Sequence, residues 1–424
     1  MKKVKLGDII LFNPSESIKK GNVAKKIPME KLLPHTKKIS GFENAIYSSG
    51  PKFRNGDTLL AKITPCLENG KTAFVDILDE NEVAFGSSEF IVLRAIKNVT
   101  DTNYIHYLAR SPKFRSRAIG CMEGTSGRKR VNDKTLQDEE FYLPDLPTQT
   151  AIARILSSLD NKIELNNKIN KELENLARII YEYWFVQNAE EKWERKKIGE
   201  IAEVINGATP STNDKSNYEG EIVWITPKDL SVQQNKFTYY GERSITEKGY
   251  NSCNTTLVPI NSILLSSRAP IGLLSIAKVE LCTNQGFKVL VPFDEKMSSY
   301  LYYYLLNQIE VIQHLGAGTT FKEVSKNTLL EFSVVCPTSD ILEKWGNFIN
   351  SIFDKQFVIA KENVELSRLR DFLLPLLMNG QVASTSLSHR VCNRSLSGVE
   401  TSGVETSGVE AAETTCNTKK IIEP

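Results

Sequence analysis

The chain states its plan twice, and that repetition limits what its 424 residues can fold into more than any other feature. "VKLGDIILFNPSES" (residues 4–17) has a partner in "KKIGEIAEVINGATPS" (196–211), and "GDTLLAKITP" (56–65) has one in "NSILLSSRAP" (261–270). "TNYIHYLARSP" (102–112) resembles "SSYLYYYLLNQ" (298–308), and "GTSGRKRVNDKTL" (124–136) matches "GTTFKEVSKNTL" (318–329). Pro144 and Pro337, 193 residues apart, then open two long helical patterns. Any one pair could arise by chance. Their shared order and nearly constant offset mean that one supersecondary plan is built twice. The organisation is globular unit, long helix, globular unit, long helix.

Within each globular unit, short runs such as "TLLAKI", "FIVLRA", "IVWIT" and "SILLSS" are β-rich and separated by Gly, Pro, Asn and Ser, while "NYIHYLARSPKFRSRAI" has helical spacing. That mixture predicts an α+β fold in which two repeated α/β domains are separated by two long helices. The expected boundaries are 1–147 for the first domain, 148–188 for the central helix, 192–337 for the second domain and 338–380 for the distal helix. Residues 381–424, with their repeated "TSGVE", are too poor in apolar residues to bury a core and are expected to be a disordered tail.

The helical blocks are narrow amphipaths. In the first, Leu156, Leu159, Ile163, Leu173, Leu176 and Ile180 fall mostly at steps of three and four, with Asn166 on the same seam. In the second, Ile352, Phe353, Phe357, Leu366, Leu369 and Leu373 continue the theme. Such a stripe suits a helix that pairs with another helix. About 35 residues at a rise of ~1.5 Å is on the order of 50 Å, which is long for a helix packed only on its own domain. Two such helices, one from each repeat, pair most simply about a pseudo-two-fold axis, as an antiparallel coiled coil. A buried Asn166 would fix their alignment. Pro375 is expected to kink or end the second helix, with Gly380 as its cap.

The sequence carries no catalytic signature. "PCLENGKT" ends like a phosphate loop, but Pro65 stands where the first glycine is needed, so it reads as a hairpin turn. "HLGAGTTF" lacks the third glycine of a dinucleotide fingerprint. No methyltransferase cofactor loop, Asn/Asp-Pro-Pro-aromatic motif, Gly-x-Ser-x-Gly elbow or His-Glu-x-x-His helix occurs. Seven scattered cysteines and four isolated histidines give no metal-ligand spacing. No apolar run reaches membrane-span length, so a cytoplasmic protein without a membrane partner is expected.

The charge distribution fits contact with a polyanion without demanding it. Residues 1–147 hold 24 Lys and Arg against 18 Asp and Glu, whereas residues 192–337 hold 15 of each. The surplus collects at Lys113, Arg115, Arg117, Arg128, Lys129 and Arg130, around the small residues near Thr125, with Lys62 at a strand end. In the second repeat the counterparts are Lys228, Ser267, Arg268, Thr319 and Lys322. Arginine can grip phosphate or the guanine edge, and a small-residue loop allows close backbone approach. A solvated basic loop explains the composition equally well.

Taken together, these residues resemble the specificity subunits of type I restriction–modification systems. The resemblance is carried by "LPDLPTQTAIARILSSLDNKIELNNKINKELENLARIIYEYWFV", with its proline entry, Gln149 and "WFV" exit, and by "LRDFLLPLLMNGQ". "VKLGDI", "GSSEFIVL", "NQGFKVL" and the approach "GTSGRKRVNDKTL" also fit, so it covers roughly residues 1–380. The second block departs from the pattern, because "CPTSDILEK" lacks the glutamine after the proline. The resemblance implies two target recognition domains, each reading half of a bipartite double-stranded DNA target, with the helices as spacer. It implies two modification subunits that methylate adenine and two restriction subunits that cleave. S-adenosylmethionine, ATP and Mg²⁺ would then sit on those partners and no cofactor on this chain. A catalytic methyltransferase or nuclease, and a stand-alone DNA- or protein-binding helical scaffold, are the competing classes.

Overall fold

The computed structural model describes residues 1–125, 127–233, 236–268, 270–316 and 322–381. These form two compact units, Met1–Leu165 with residues 363–381, and Asn166–Glu362. The division falls inside the two long helices, Leu146–Glu182 and Ser339–Met378, and not at the ends of the globular repeats. Each unit therefore holds one repeat, the first part of that repeat's own helix and the last part of the other. The expected disordered tail lies outside the described residues.

In the first unit, strand Lys2–Lys5 pairs antiparallel with Glu140–Leu143, so the start of the repeat is tied to the strand that feeds the helix. A four-stranded antiparallel sheet runs in the order Ile10–Phe12, Phe90–Ala95, Thr58–Ala61, Thr72–Phe74. A second sheet places Val23–Ile27 between Glu43–Ile46 and Ala84–Gly86, the latter pairing parallel, with Lys52–Phe53 at the edge. The "LENGKT" segment is the turn between Thr58–Ala61 and Thr72–Phe74, and Gly70 turns there at φ +75°. Helix Thr102–Arg110 is capped by the Asp101 carboxylate, which accepts from Tyr104 N, and buries Tyr104, Ile105, Tyr107 and Leu108 against the sheet and Leu156.

The second unit repeats the plan in its own residues. Glu194–Lys197 pairs with Ser333–Cys336. Its main sheet runs Ala202–Asn206, Phe287–Pro292, Ile263–Ser266, Leu274–Ala277, Phe237–Thr238, one strand longer than its counterpart. Tyr218–Ile225 again pairs parallel, at Trp224 and Ile225, with Cys282–Thr283. Helix Met297–Asn307 takes the place of Thr102–Arg110.

The first long helix starts where Asp145 accepts a hydrogen bond from Thr148 N at 3.1 Å and Pro147 fills the first turn, where a missing N–H costs nothing. Gln149, fully buried, accepts from Asp101 N and donates to the carbonyls of Val99 and Pro144, clamping helix to domain. The second helix has buried Leu342 at that position and packs there through an apolar side chain. It also runs one turn beyond Pro375 before Gly380, at φ +67°, ends it, so the proline interrupts one hydrogen bond without stopping the helix.

The helices run antiparallel in each unit. In the first, Asp160 Oδ1 accepts from Arg370 Nη1 at 2.8 Å, and Leu156 belongs to the core that includes Leu373, Leu374 and Leu377. In the second, buried Asn166 donates to Glu362 Oε2 at 2.7 Å and Gln356 Nε2 to Asn170 O at 3.2 Å, while Tyr181 and Trp184 meet Trp345. Leu156, Asn166, Ile180, Ile352, Phe353 and Leu373 are buried, and Leu159, Ile163, Leu173, Phe357 and Leu366 are half-buried. Leu176 and Leu369, expected on the seam, are 44% and 46% exposed. Each helix carries a second apolar stripe on another face, and spacing alone merged the two.

Candidate nucleic-acid interface

Three chain segments meet at one end of the main sheet in each unit. In the first, Lys62 at the strand end donates its N–H to Glu89 O at 2.9 Å, and Val131 N donates to Lys62 O at 2.9 Å. In the second, Ser267 N donates to Gly286 O at 2.8 Å, and Val324 N to Ser267 O at 3.0 Å. The same backbone junction therefore joins the strand end, the loop before the central strand (87–89 or 284–286) and the segment leading to the short helix that precedes the long one.

Side chains at the first junction are mainly cationic. Arg128 and Lys129 are exposed and Lys62 half-buried, and none of the three side chains has a hydrogen-bond or ion-pair partner among the described residues. Thr125 is exposed beside them. Arg130 is held differently: its Nε and Nη2 both bind the Glu89 carboxylate, at 2.9 and 2.8 Å. That guanidinium holds the carboxyl of Glu89 below its usual range. The pair is half exposed, so its value is orientation of the arginine more than stability.

The remaining basic candidates of the first unit lie on helix Pro112–Gly120, and their heads are engaged elsewhere. Arg115 Nη2 donates to Glu68 O at 2.7 Å, Arg117 pairs with Glu139, and the Lys113 ammonium lies 5.7 and 5.5 Å from the rings of Phe141 and Tyr142. Sequence proximity placed these three with Arg128–Arg130, but the helix carries Lys113 and Arg117 toward the strand Glu140–Leu143.

At the second junction, Arg268 and Lys322 have no partner among the described residues. Lys228, exposed at the start of helix Pro227–Gln233, pairs with Glu242 at 2.7 Å. Ser267 corrects the sequence reading: it is fully buried, and its hydroxyl donates to Gly286 O, which makes it part of the junction and not of its surface. Thr319 lies outside the described residues. Lys288, which the sequence did not single out, is buried and satisfied by Glu323 at 2.9 Å.

Several further residues were not legible in advance. Exposed Ser88 and Gln285 occupy equivalent places in the two loops, and Thr209 binds the Gln285 carboxamide oxygen. In the first unit Ser87 and Ser88 border a groove of about 520 Å³ that Lys26, Ser48 and Ser49 also line. A buried lysine reaches from each globular repeat to the long helices. Lys37 Nζ donates to Asn103 Oδ1 and Ser157 Oγ, at 2.8 and 3.1 Å. Lys236 Nζ donates to Tyr303 Oη and Gln356 Oε1, at 2.8 and 3.0 Å, and pairs with Glu174. Burial lowers the ammonium of Lys37, and pushes that of Lys236 down to about 8 against the pull of Glu174. Among the described residues no group of three or more His, Cys, Asp or Glu is placed to hold a metal ion, and no helix is long and apolar enough to cross a membrane.

Two α+β repeats, each closed by the same junction and each followed by a helix of about 40 residues, define a tandem recognition module. The sequence profile of the type I restriction modification DNA specificity domain matches residues 1–175 and again 190–366, and the chain belongs to that family. It is 24% identical over 406 residues to the HindI specificity subunit of Haemophilus influenzae, covering 78% of this chain and 87% of that one. To the MjaIX specificity subunit of Methanocaldococcus jannaschii it is 40% identical over 189 residues. That alignment spans 44% of this chain and 43% of the relative's length. The crystal structure of a type I restriction–modification S subunit from M. genitalium aligns over 89% of this chain and 95% of its own, with a TM-score of 0.59 and 15% identity, a likeness of fold.

Proposed function

We propose that this chain is the DNA-reading subunit of a type I restriction–modification enzyme, in which each repeat binds one half of a bipartite duplex target. The observation that carries this reading is the repeated junction: each unit presents cations with no side-chain partner among the described residues, beside an exposed loop at the same structural place. Cations bind phosphates and set register, while loop side chains can reach base edges. The long helices act as the spacer between the half-sites.

The helices also offer a partner surface in duplicate. The first exposes Leu165, Leu176 and Ile179, and the second exposes Val358, Leu369 and Phe372, at 44–66% relative exposure. Each member of the second set lies 193 residues after its counterpart, so each helix carries three apolar side chains at the same spacing. Exposed apolar groups arranged alike on two helices suit two copies of one partner. We assign these stripes to two modification subunits, which bind S-adenosylmethionine and methylate adenine. Two restriction subunits complete the enzyme and supply ATP- and Mg²⁺-dependent cleavage.

The test is a mass measurement of the complex formed with the modification subunit, followed by gel shifts on genomic fragments. Leu176→Asp with Ile179→Asp removes one partner copy, and adding Leu369→Asp with Phe372→Asp removes the second. An unchanged mass in the quadruple variant sinks the assignment. Methyl transfer by this chain alone would favour a catalytic protein instead.

A further inference from the structure

The loops at the two junctions differ in the one property that matters for reading bases. Residues 86–90 of the first unit, "GSSEF", and 283–287 of the second, "TNQGF", occupy the same place between the short parallel strand and the central strand of the sheet. Their backbones are fixed by the equivalent bonds from Lys62 N to Glu89 O and from Ser267 N to Gly286 O. Ser88 thus corresponds to Gln285, and both are exposed. The rest of each loop is tied down. Ser87 Oγ accepts from Glu89 N at 3.2 Å, and Asn284 Oδ1 accepts from Gly286 N at 2.9 Å.

What distinguishes Gln285 is that its carboxamide is already held. Thr209, on the segment that follows strand Ala202–Asn206, donates its hydroxyl to Oε1. This leaves the second lone pair of Oε1 and both Nε2 hydrogens for an outside group. An acceptor and a donor on one planar amide match the donor and acceptor that adenine presents, through N6 and N7, in the major groove. Ser88 has no hydrogen-bond partner among the described residues and stands at the lip of the 520 Å³ groove. A hydroxyl both donates and accepts, so it discriminates weakly among base edges. The cations flank both loops: Lys62, Arg128 and Lys129 in one unit, Arg268 and Lys322 in the other.

From this geometry we infer that Gln285 and Ser88 are the equivalent base-reading positions of the two units, with Gln285, positioned by Thr209, recognising an adenine in its half-site. The inference rests on the DNA-reading function proposed above. It adds which side chains specify sequence and which, among the cations, bind without regard to it.

The experiment is selection from a randomised duplex library by the full chain in complex with its modification subunits. The wild-type complex is expected to recover two half-site motifs, that of the second unit with an invariant adenine other than the one that is methylated. Gln285→Ala abolishes the preference at that single base pair, a loss of roughly tenfold or more in discrimination, and leaves the other half-site unchanged. Thr209→Val weakens the same preference less. Ser88→Gln introduces an adenine preference at one pair of the other half-site. Lys322→Ala lowers affinity for all sequences alike and alters no motif. If the wild-type complex recovers both motifs and Gln285→Ala shifts neither, or weakens binding uniformly, the inference is overturned. If the wild type recovers no motif, the DNA-reading function itself falls, and the inference with it. Both residues are exposed, so equal thermal midpoints for variants and wild type show that folding is not the cause.

Discussion

The two units solve one packing problem in opposite ways. Where the globular helix meets the antiparallel long helices, the first unit buries Arg110, Asp160 and Arg370; Asp160 accepts from Arg370 at 2.8 Å and from Arg110 at 3.3 Å, and Tyr107 adds a hydroxyl at 2.6 Å. In the second unit the corresponding positions are Leu306, Phe353 and Ala177, all part of or packed on a core with Trp184, Trp193 and Trp345. One interface is an ionic triad and the other an aromatic cluster, on the same backbone plan. A buried ion pair loses the hydration of its charges, and its mutual attraction roughly offsets that loss. Its effect is therefore seen mainly when one member is removed. The aromatic cluster gains from area buried and has no such geometric demand, although the three indole N–H groups lack hydrogen-bond partners among the described residues.

The two interfaces differ most at Asp160. Asp160→Ala leaves two buried guanidinium groups facing each other, and is expected to destabilise the first unit by about 3–5 kcal/mol. Hydrogen exchange should report that loss in the first unit's sheet and leave the second unit's sheet protected. Copying the other unit with Arg110→Leu, Asp160→Phe and Arg370→Ala together should recover most of it, because no charge is left unpaired. A triple variant no more stable than Asp160→Ala would show that the two interfaces are not interchangeable.

A smaller effect separates the units by pH. His106 is fully buried, with neither ring nitrogen hydrogen-bonded among the described residues, and burial holds it well below its ordinary 6.5. Its counterpart in the second unit is Tyr302. The unfolded chain takes up a proton near pH 6.5 while the folded one stays neutral. The stability of the first unit is therefore full above that pH and falls below it, by up to about 1.4 kcal/mol per pH unit. Denaturant midpoints measured at pH 7 and pH 5.5 should show His106→Phe flattening this dependence. An equal slope in wild type and variant would refute it.

The smallest expected difference is in salt dependence. Arg128→Ala should reduce the slope of log affinity against log salt by close to one, as one phosphate contact is lost. Arg117→Ala, whose partner is Glu139, should change it little. Equal changes would mean that the ion pairs of the free protein open on DNA.

Much of this arrangement was legible in the sequence, for physical reasons. Turn residues and prolines mark where a chain must change direction, so Pro144 and Pro337 located both helices to within a few residues. The choice among side chains was less legible. Leu176 and Leu369 share the three–four spacing of the seam but lie on the exposed stripe, because a helix with two apolar faces yields one merged pattern. The state of Arg130 depends on Glu89, 41 residues earlier, and that of Ser267 on Gly286 across the sheet. Such pairings are set by sheet register. The triad is hidden for a related reason: helix packing, and not spacing along the chain, brings Asp160 to Arg370, 210 residues away.

The division of the chain inside its helices also has a consequence for synthesis. The second unit is one continuous stretch, Asn166–Glu362, and every part of its core is available once Glu362 has left the ribosome. The first unit begins earlier but needs Arg370 to neutralise the environment of Asp160, and Leu373, Leu374 and Leu377 to cover Leu156. Those residues are among the last of the described residues to be made. Until then Asp160 has only Arg110 and Tyr107, and the apolar face around Leu156 stays open to water. The half of the protein that is started first is the half that is finished last.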